Sequence, residues 1–199
     1  MSDRVHKIRE ASAKLDSLNK RIKETVRTRD RGVEERERWS HACAEFHTKY
    51  AELFYPGGDA SLDALKRHEP AAIELGIDFL EADPRHFRSG YTKEEVWRRI
   101  RNAPLSKKDK ARLEEAALQY LDRKISREFW SMARVMASMA SKGFWDRVRE
   151  LATSEMEPKK TRAEYLAAYE QGADAGGRNR QKVYREYLAR KYRERQSRI

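Results

Sequence analysis

Apolar residues recur along this chain at three- and four-residue intervals, the spacing that lines one face of an α-helix, and no convincing alternating run of the kind a strand needs interrupts them. From Asp3 to Arg29 the pattern is a weak heptad. Val5, Ser12, Asn19 and Val26 share one seam position, Ile8, Leu15 and Ile22 the other, and Leu18 lies beside them on an otherwise charged helix. After Arg29-Asp30-Arg31-Gly32 the apolar positions resume as Trp39, Cys43, Phe46, Tyr50 and Leu53 and stop at Pro56. This predicts a helical hairpin that turns near Gly32. Val33 keeps the first seam in phase, so one continuous helix of roughly 50 residues, projecting about 75 Å and pairing with a second copy, is the alternative.

The rest of the chain reads as successive helices separated by Pro and Gly. Residues 61–82 carry Leu62, Leu65, Ile73, Ile77, Phe79 and Leu80 around Pro70; residues 92–103 carry Val96, Trp97 and Ile100; residues 106–124 carry Leu113, Ala117, Tyr120 and Leu121. Thr92 and Glu95 have the spacing of a capping box, Ser106 and Asp109 offer a cap with an acid in the first turn, and Pro70 and Pro158 suit first helical positions. Residues 127–141, from Phe129 and Trp130 through Met132, Val135, Met136 and Met139, are apolar nearly all round, which predicts the most buried helix. Residues 144–152, 158–171 and 178–198 supply the remaining helices. Gly76 alone among the glycines falls inside a helical pattern. The expected organisation is an all-α chain: a coiled-coil-like helical arm over 1–55, a helical core over 59–172, and a basic, tyrosine-rich terminal helix over 178–199.

Helix pairs of about 17 to 35 residues with short Pro- or Gly-marked turns resemble HEAT-like or armadillo-like helical repeats over residues 61–155, an alternative to an irregular bundle. The resemblance is architectural, with unequal repeat lengths and no recurrent signature. It implies a scaffold whose concave face binds another macromolecule, and it implies no catalytic residues.

Composition supports the helical reading, since Val and Ile number only seven each among abundant Ala, Leu, Glu, Lys and Arg. Phe129–Ser141 is too short and too interrupted by Arg134 to span a bilayer. Charge near the start, from Asp3 to Lys7, does not suit a signal peptide, and the single Cys43 fits a reducing cytoplasm.

The net charge of +11 is unevenly placed. Residues 85–124 hold twelve basic against six acidic residues, and residues 178–199 nine against two. Such asymmetry points toward a polyanionic partner or an acidic protein surface. In the first zone Arg98, Arg99 and Arg101 lie opposite Val96, Trp97 and Ile100, and Lys107, Lys108, Lys110 and Arg112 open the next helix, so one edge is expected to present seven cations. In the second, Arg178, Arg180, Lys182, Arg185, Arg190, Lys191 and Arg193 surround Tyr184, Tyr187 and Tyr192. Either the tyrosine stripe packs on the body or on a partner with the cations solvated, or the cations contact phosphates and the rings stack on bases.

Catalytic chemistry finds little support. Cys43 and His47 share a helical face near His41, but a zinc site wants four ligands and Cys43 falls on the apolar stripe, where a buried structural cysteine is expected. Gly172–Gly177 has the outline of a phosphate-binding loop, yet Arg178 and Asn179 stand where lysine and a hydroxyl are needed and no strand precedes it. The sequence thus predicts no enzyme, no cofactor and no metal. It favours a non-catalytic helical adaptor that meets another chain or a second copy through residues 1–55, with a sequence-nonspecific DNA- or RNA-binding protein as the alternative.

Overall fold

The structure is a computed structural model and describes residues 2–123, 125–156 and 159–171, together with Arg185, Glu186, Ala189, Arg190 and Arg193. Among the described residues there are nine α-helices and no strands: α1 (Asp3–Thr25), α2 (Val33–Leu53), α3 (Gly58–Lys66), α4 (Pro70–Ala82), α5 (Ser89–Ile100), α6 (Lys107–Tyr120), α7 (Arg127–Met139), α8 (Lys142–Thr153) and α9 (Lys159–Gln171). They form two compact units, Met1–Ala116 and Ala117–Ile199, so the boundary falls within α6 rather than between the amino-terminal helices and the rest. No described helix is long and apolar enough to cross a membrane.

In the first unit, α1 and α2 pack on each other as a hairpin, and Gly32 is the N-cap of α2 in extended backbone. The heptad seam of α1 is used within the chain: Val5, Ile8, Ser12, Leu15 and Leu18 are buried, and Leu15, Leu18 and Phe46 form a small core joined by Ile22, Tyr50 and Leu53. The predicted stripe on α2 is shifted. Ala42 and Phe46 are its buried positions, whereas Cys43 is only half-buried because Ala42 takes the inward place.

The amino-terminal half of α1 also lies along α4, in the same direction. Arg4 pairs with Asp78 at 2.8 Å, Arg9 donates from Nε to the Ala82 carbonyl at 3.2 Å and from Nη2 to the Glu81 carbonyl at 3.3 Å, and Ser12 Oγ accepts the Arg85 N–H at 2.7 Å. Arg9 thus caps the carboxyl end of α4, where unpaired carbonyls favour a cation. The arm expected over residues 1–55 is thereby packed on the helices that follow it.

Pro70 opens α4 at its first turn, as predicted. Eight of the thirteen α4 residues are buried, Gly76 and Asp78 among them. A Cβ at Gly76 would meet Ile100 at 3.1 Å, Leu65 at 3.2 Å and Val96 at 3.4 Å, so glycine lets α3 and α5 approach α4 closely. Helix α5 starts at Ser89, three residues before the predicted cap Thr92, which is a buried position inside the helix. The Ser106–Asp109 box does form: Ser106 Oγ accepts the Asp109 N–H at 3.1 Å, and the Asp109 carboxylate accepts the Ser106 N–H at 3.0 Å.

In the second unit, α9 packs on α7 and α8. Phe129, Met132, Ala133, Val135 and Met136 of α7 are buried with Phe144, Trp145 and Val148 of α8 and Ala163, Leu166 and Tyr169 of α9. Expected to be apolar all round, α7 is two-faced instead. Trp130 is half-buried against Tyr165 and Tyr169, and Arg134 and Ser138 face outward, so α7 buries seven of its thirteen residues where α4 buries eight.

Candidate macromolecular interface at the α4–α5 junction

The seven cations expected on one edge divide into three groups. Arg112 donates from Nε and Nη2 to Glu81 at 2.8 and 2.6 Å and from Nη2 to Asp78 at 2.5 Å, and its side chain is 22% exposed. This bidentate pair, with Arg4 on the other Asp78 oxygen, neutralises a carboxylate that would otherwise be buried at a cost of several kcal/mol. Arg99 reaches Glu95 at 2.7 Å and Asp63 at 3.7 Å and is largely covered, while Arg98 pairs with Glu95 at 3.1 Å from an exposed position. Arg101, Lys107, Lys108 and Lys110 are exposed and have no carboxylate partner among the described residues. No large exposed hydrophobic accompanies these four. A cleft of about 280 Å³ beside them joins Lys108 and Arg112 to Glu74 and Asp109, so its charge is mixed.

In the terminal zone Arg185, Arg190 and Arg193 are helical and exposed. Arg178, Arg180, Lys182, Tyr184, Tyr187, Lys191 and Tyr192 lie outside the described residues, as do Pro158 and the Gly172–Gly177 segment. His41 and His47 are exposed beside the half-buried Cys43, and no described group of three His, Cys, Asp or Glu side chains is placed to hold a metal.

A surface that the sequence reading passed over lies between α4 and α5, in Asp83-Pro84-Arg85-His86-Phe87-Arg88. Phe87 is 50% exposed and Tyr91, at the start of α5, is 55% exposed. The Arg88 guanidinium stands over the Tyr91 ring, 5.4 Å from its centroid, and no carboxylate of the described residues pairs with it. Arg85 is 71% exposed and lies 3.6 Å from Asp83, whose charge is already taken by Lys93 at 2.9 Å. Two rings and two guanidinium groups are therefore exposed within one short stretch of chain.

The residues behind them are packed and buried. The Asp83–Lys93 ion pair is buried and ties the end of α4 to the first turns of α5. His86 is buried, with Nδ1 3.4 Å from Ser12 Oγ and its ring edge-to-face with Tyr50 at 6.1 Å. Its pKa is held down to about 4, first by burial and then by the Lys93 charge, against a smaller opposing pull from Asp16. Phe87 meets Phe46 at 5.9 Å, and Phe46, Tyr50 and Phe54 continue as a row of ring contacts along α2. Burial raises the Tyr50 pKa, and the Arg88 charge opposes the rise.

No family model, curated protein or solved structure matches this chain. Function is therefore read from the site itself. Arg88 is telling in that respect. It holds φ 64° and ψ 4° at the N-cap of α5, where extended backbone and a capping side chain are usual, and makes no side-chain cap. Left-handed backbone at a non-glycine residue costs about 1–2 kcal/mol, a strain characteristic of sites shaped by something other than stability. The sequence did carry one signal, a phenylalanine between two arginines in a Pro-marked turn, but exposure of that ring depends on packing.

Proposed function

We propose that this chain is a non-catalytic helical scaffold that binds another macromolecule through the α4–α5 junction. The observation that carries this reading is the exposed pair Phe87 and Tyr91, flanked by Arg85 and Arg88 and held on a turn anchored by buried polar contacts. Tyrosine and arginine are enriched at binding hot spots, and a turn already held by internal contacts lowers the entropic cost of binding.

A photo-crosslinking aromatic residue at position 91 tests this. In extracts of the source cell it is expected to give discrete, saturable adducts that the same residue placed at exposed Lys142 does not give. Identical adduct patterns from both positions would refute a binding role for the junction. Nuclease treatment of the adducts then reports which class of macromolecule was captured.

A further inference from the structure

We propose that the α4–α5 junction binds single-stranded nucleic acid, with bases stacked on Phe87 and Tyr91 and phosphates held by Arg85 and Arg88. This rests on the macromolecule-binding reading above and specifies its partner.

Charge and ring placement favour this partner over a protein. The exposed apolar groups here are two flat rings without an exposed large aliphatic neighbour, whereas a protein interface is a contiguous apolar core with charge moved to its rim. Phe87 adjoins Arg88 in sequence, the Arg88 guanidinium lies over the Tyr91 ring, and no described carboxylate pairs with Arg88. Flat rings beside two exposed guanidinium groups, of which Arg88 has no carboxylate partner among the described residues, match a strand that alternates planar bases with phosphates. A duplex keeps its bases stacked inside, so the rings reach bases only in a single strand. The four exposed cations from Arg101 to Lys110 add sequence-independent attraction but no stacking surface, so among the described residues it is the junction that pairs exposed rings with cations.

The decisive comparison is between strands with and without bases. Fluorescence anisotropy with the full chain uses labelled oligothymidylate, oligouridylate, an abasic oligodeoxynucleotide and a duplex, each of about 20 nucleotides or base pairs, in about 100 mM salt. Base-bearing single strands are expected to bind at least about tenfold more tightly than the abasic strand or the duplex. Phe87→Ala and Tyr91→Ala should each weaken oligothymidylate binding about five- to hundredfold and leave abasic binding unchanged. Replacing Arg85 and Arg88 with Glu should reduce the steepness of log K against log salt by about 1.4, at roughly 0.7 per lost phosphate contact. Arg88→Gly retains access to the left-handed backbone that residue 88 adopts, so it separates binding from folding: the melt is expected to hold while affinity falls. A preference between uridylate and thymidylate identifies RNA or DNA as the ligand, and either supports the proposal.

Equal affinity for abasic and base-bearing strands, or unchanged binding by the Phe87→Ala, Tyr91→Ala double variant with an intact melt, overturns it. If that occurs while nuclease-resistant adducts persist at position 91, the scaffold reading survives with a protein partner. If the position-91 adducts are also lost, both readings fail.

Discussion

Arg112 and Arg88 belong to the same compact unit and carry the same guanidinium, yet they are used in opposite ways. Arg112 lies against Glu81 and Asp78, one turn apart on α4, and its donors are spent holding a 4%-exposed carboxylate in the interior. Arg88 sits on a turn whose own acid, Asp83, is already buried with Lys93, and its guanidinium is left over an exposed ring. Counting cations along a segment cannot distinguish these cases. Availability depends on which helix face carries the acids and which face is opposite.

The largest expected effect sharpens the first half of that contrast. Arg112→Ala leaves Asp78 with Arg4 alone and Glu81 unpaired, and is expected to cost roughly 2–4 kcal/mol. Because the chain has two units, hydrogen exchange of the α4 amides is the measurement that isolates it. A loss below about 0.5 kcal/mol would place Arg112 with ordinary surface arginines.

His86 tests the anchoring of the exposed turn. Its folded pKa of about 4 lies below the ordinary 6.5, so the unfolded chain takes up a proton first as pH falls. The stabilising contribution is complete above about pH 6.5 and is lost as pH falls toward 4, by at most about 3 kcal/mol. Urea unfolding across this range should show the decline, and His86→Gln should flatten it.

Smaller effects sharpen the second half. Arg88→Gly relieves left-handed strain but adds chain entropy to the unfolded state, so stability should stay within about 1 kcal/mol of the parent. Arg101→Ala, exposed and without an acidic partner among the described residues, should change stability by less than about 0.5 kcal/mol in the same melts. A large loss at Arg101 would erase the distinction between spent and available cations.

Much of the secondary structure was legible because it depends on neighbours in sequence. Three- to four-residue periodicity located the helices, Pro70 and the Ser106–Asp109 box marked two starts, and Gly32 marked the hairpin turn. The α5 start was misplaced because Thr92 has cap chemistry but lies buried within the helix, while the observed cap, Arg88, has none. Cys43 and Trp130 were set too deep for a related reason: periodicity identifies a stripe, and the shape of the partner selects which residues of the stripe are central.

Helix content and the surplus of positive charge were thus determined by sequence alone, since both follow from local propensity and composition. Tertiary structure decided that α1 runs beside α4, that Arg4, Arg9 and Ser12 bond to α4 and to the turn that follows it, and that Phe87 and Tyr91 remain outside. These outcomes join residues some seventy positions apart or depend on how helices stack. A hydrogen bond or an exposed ring is specified by the geometry of facing elements, and local sequence does not encode that geometry.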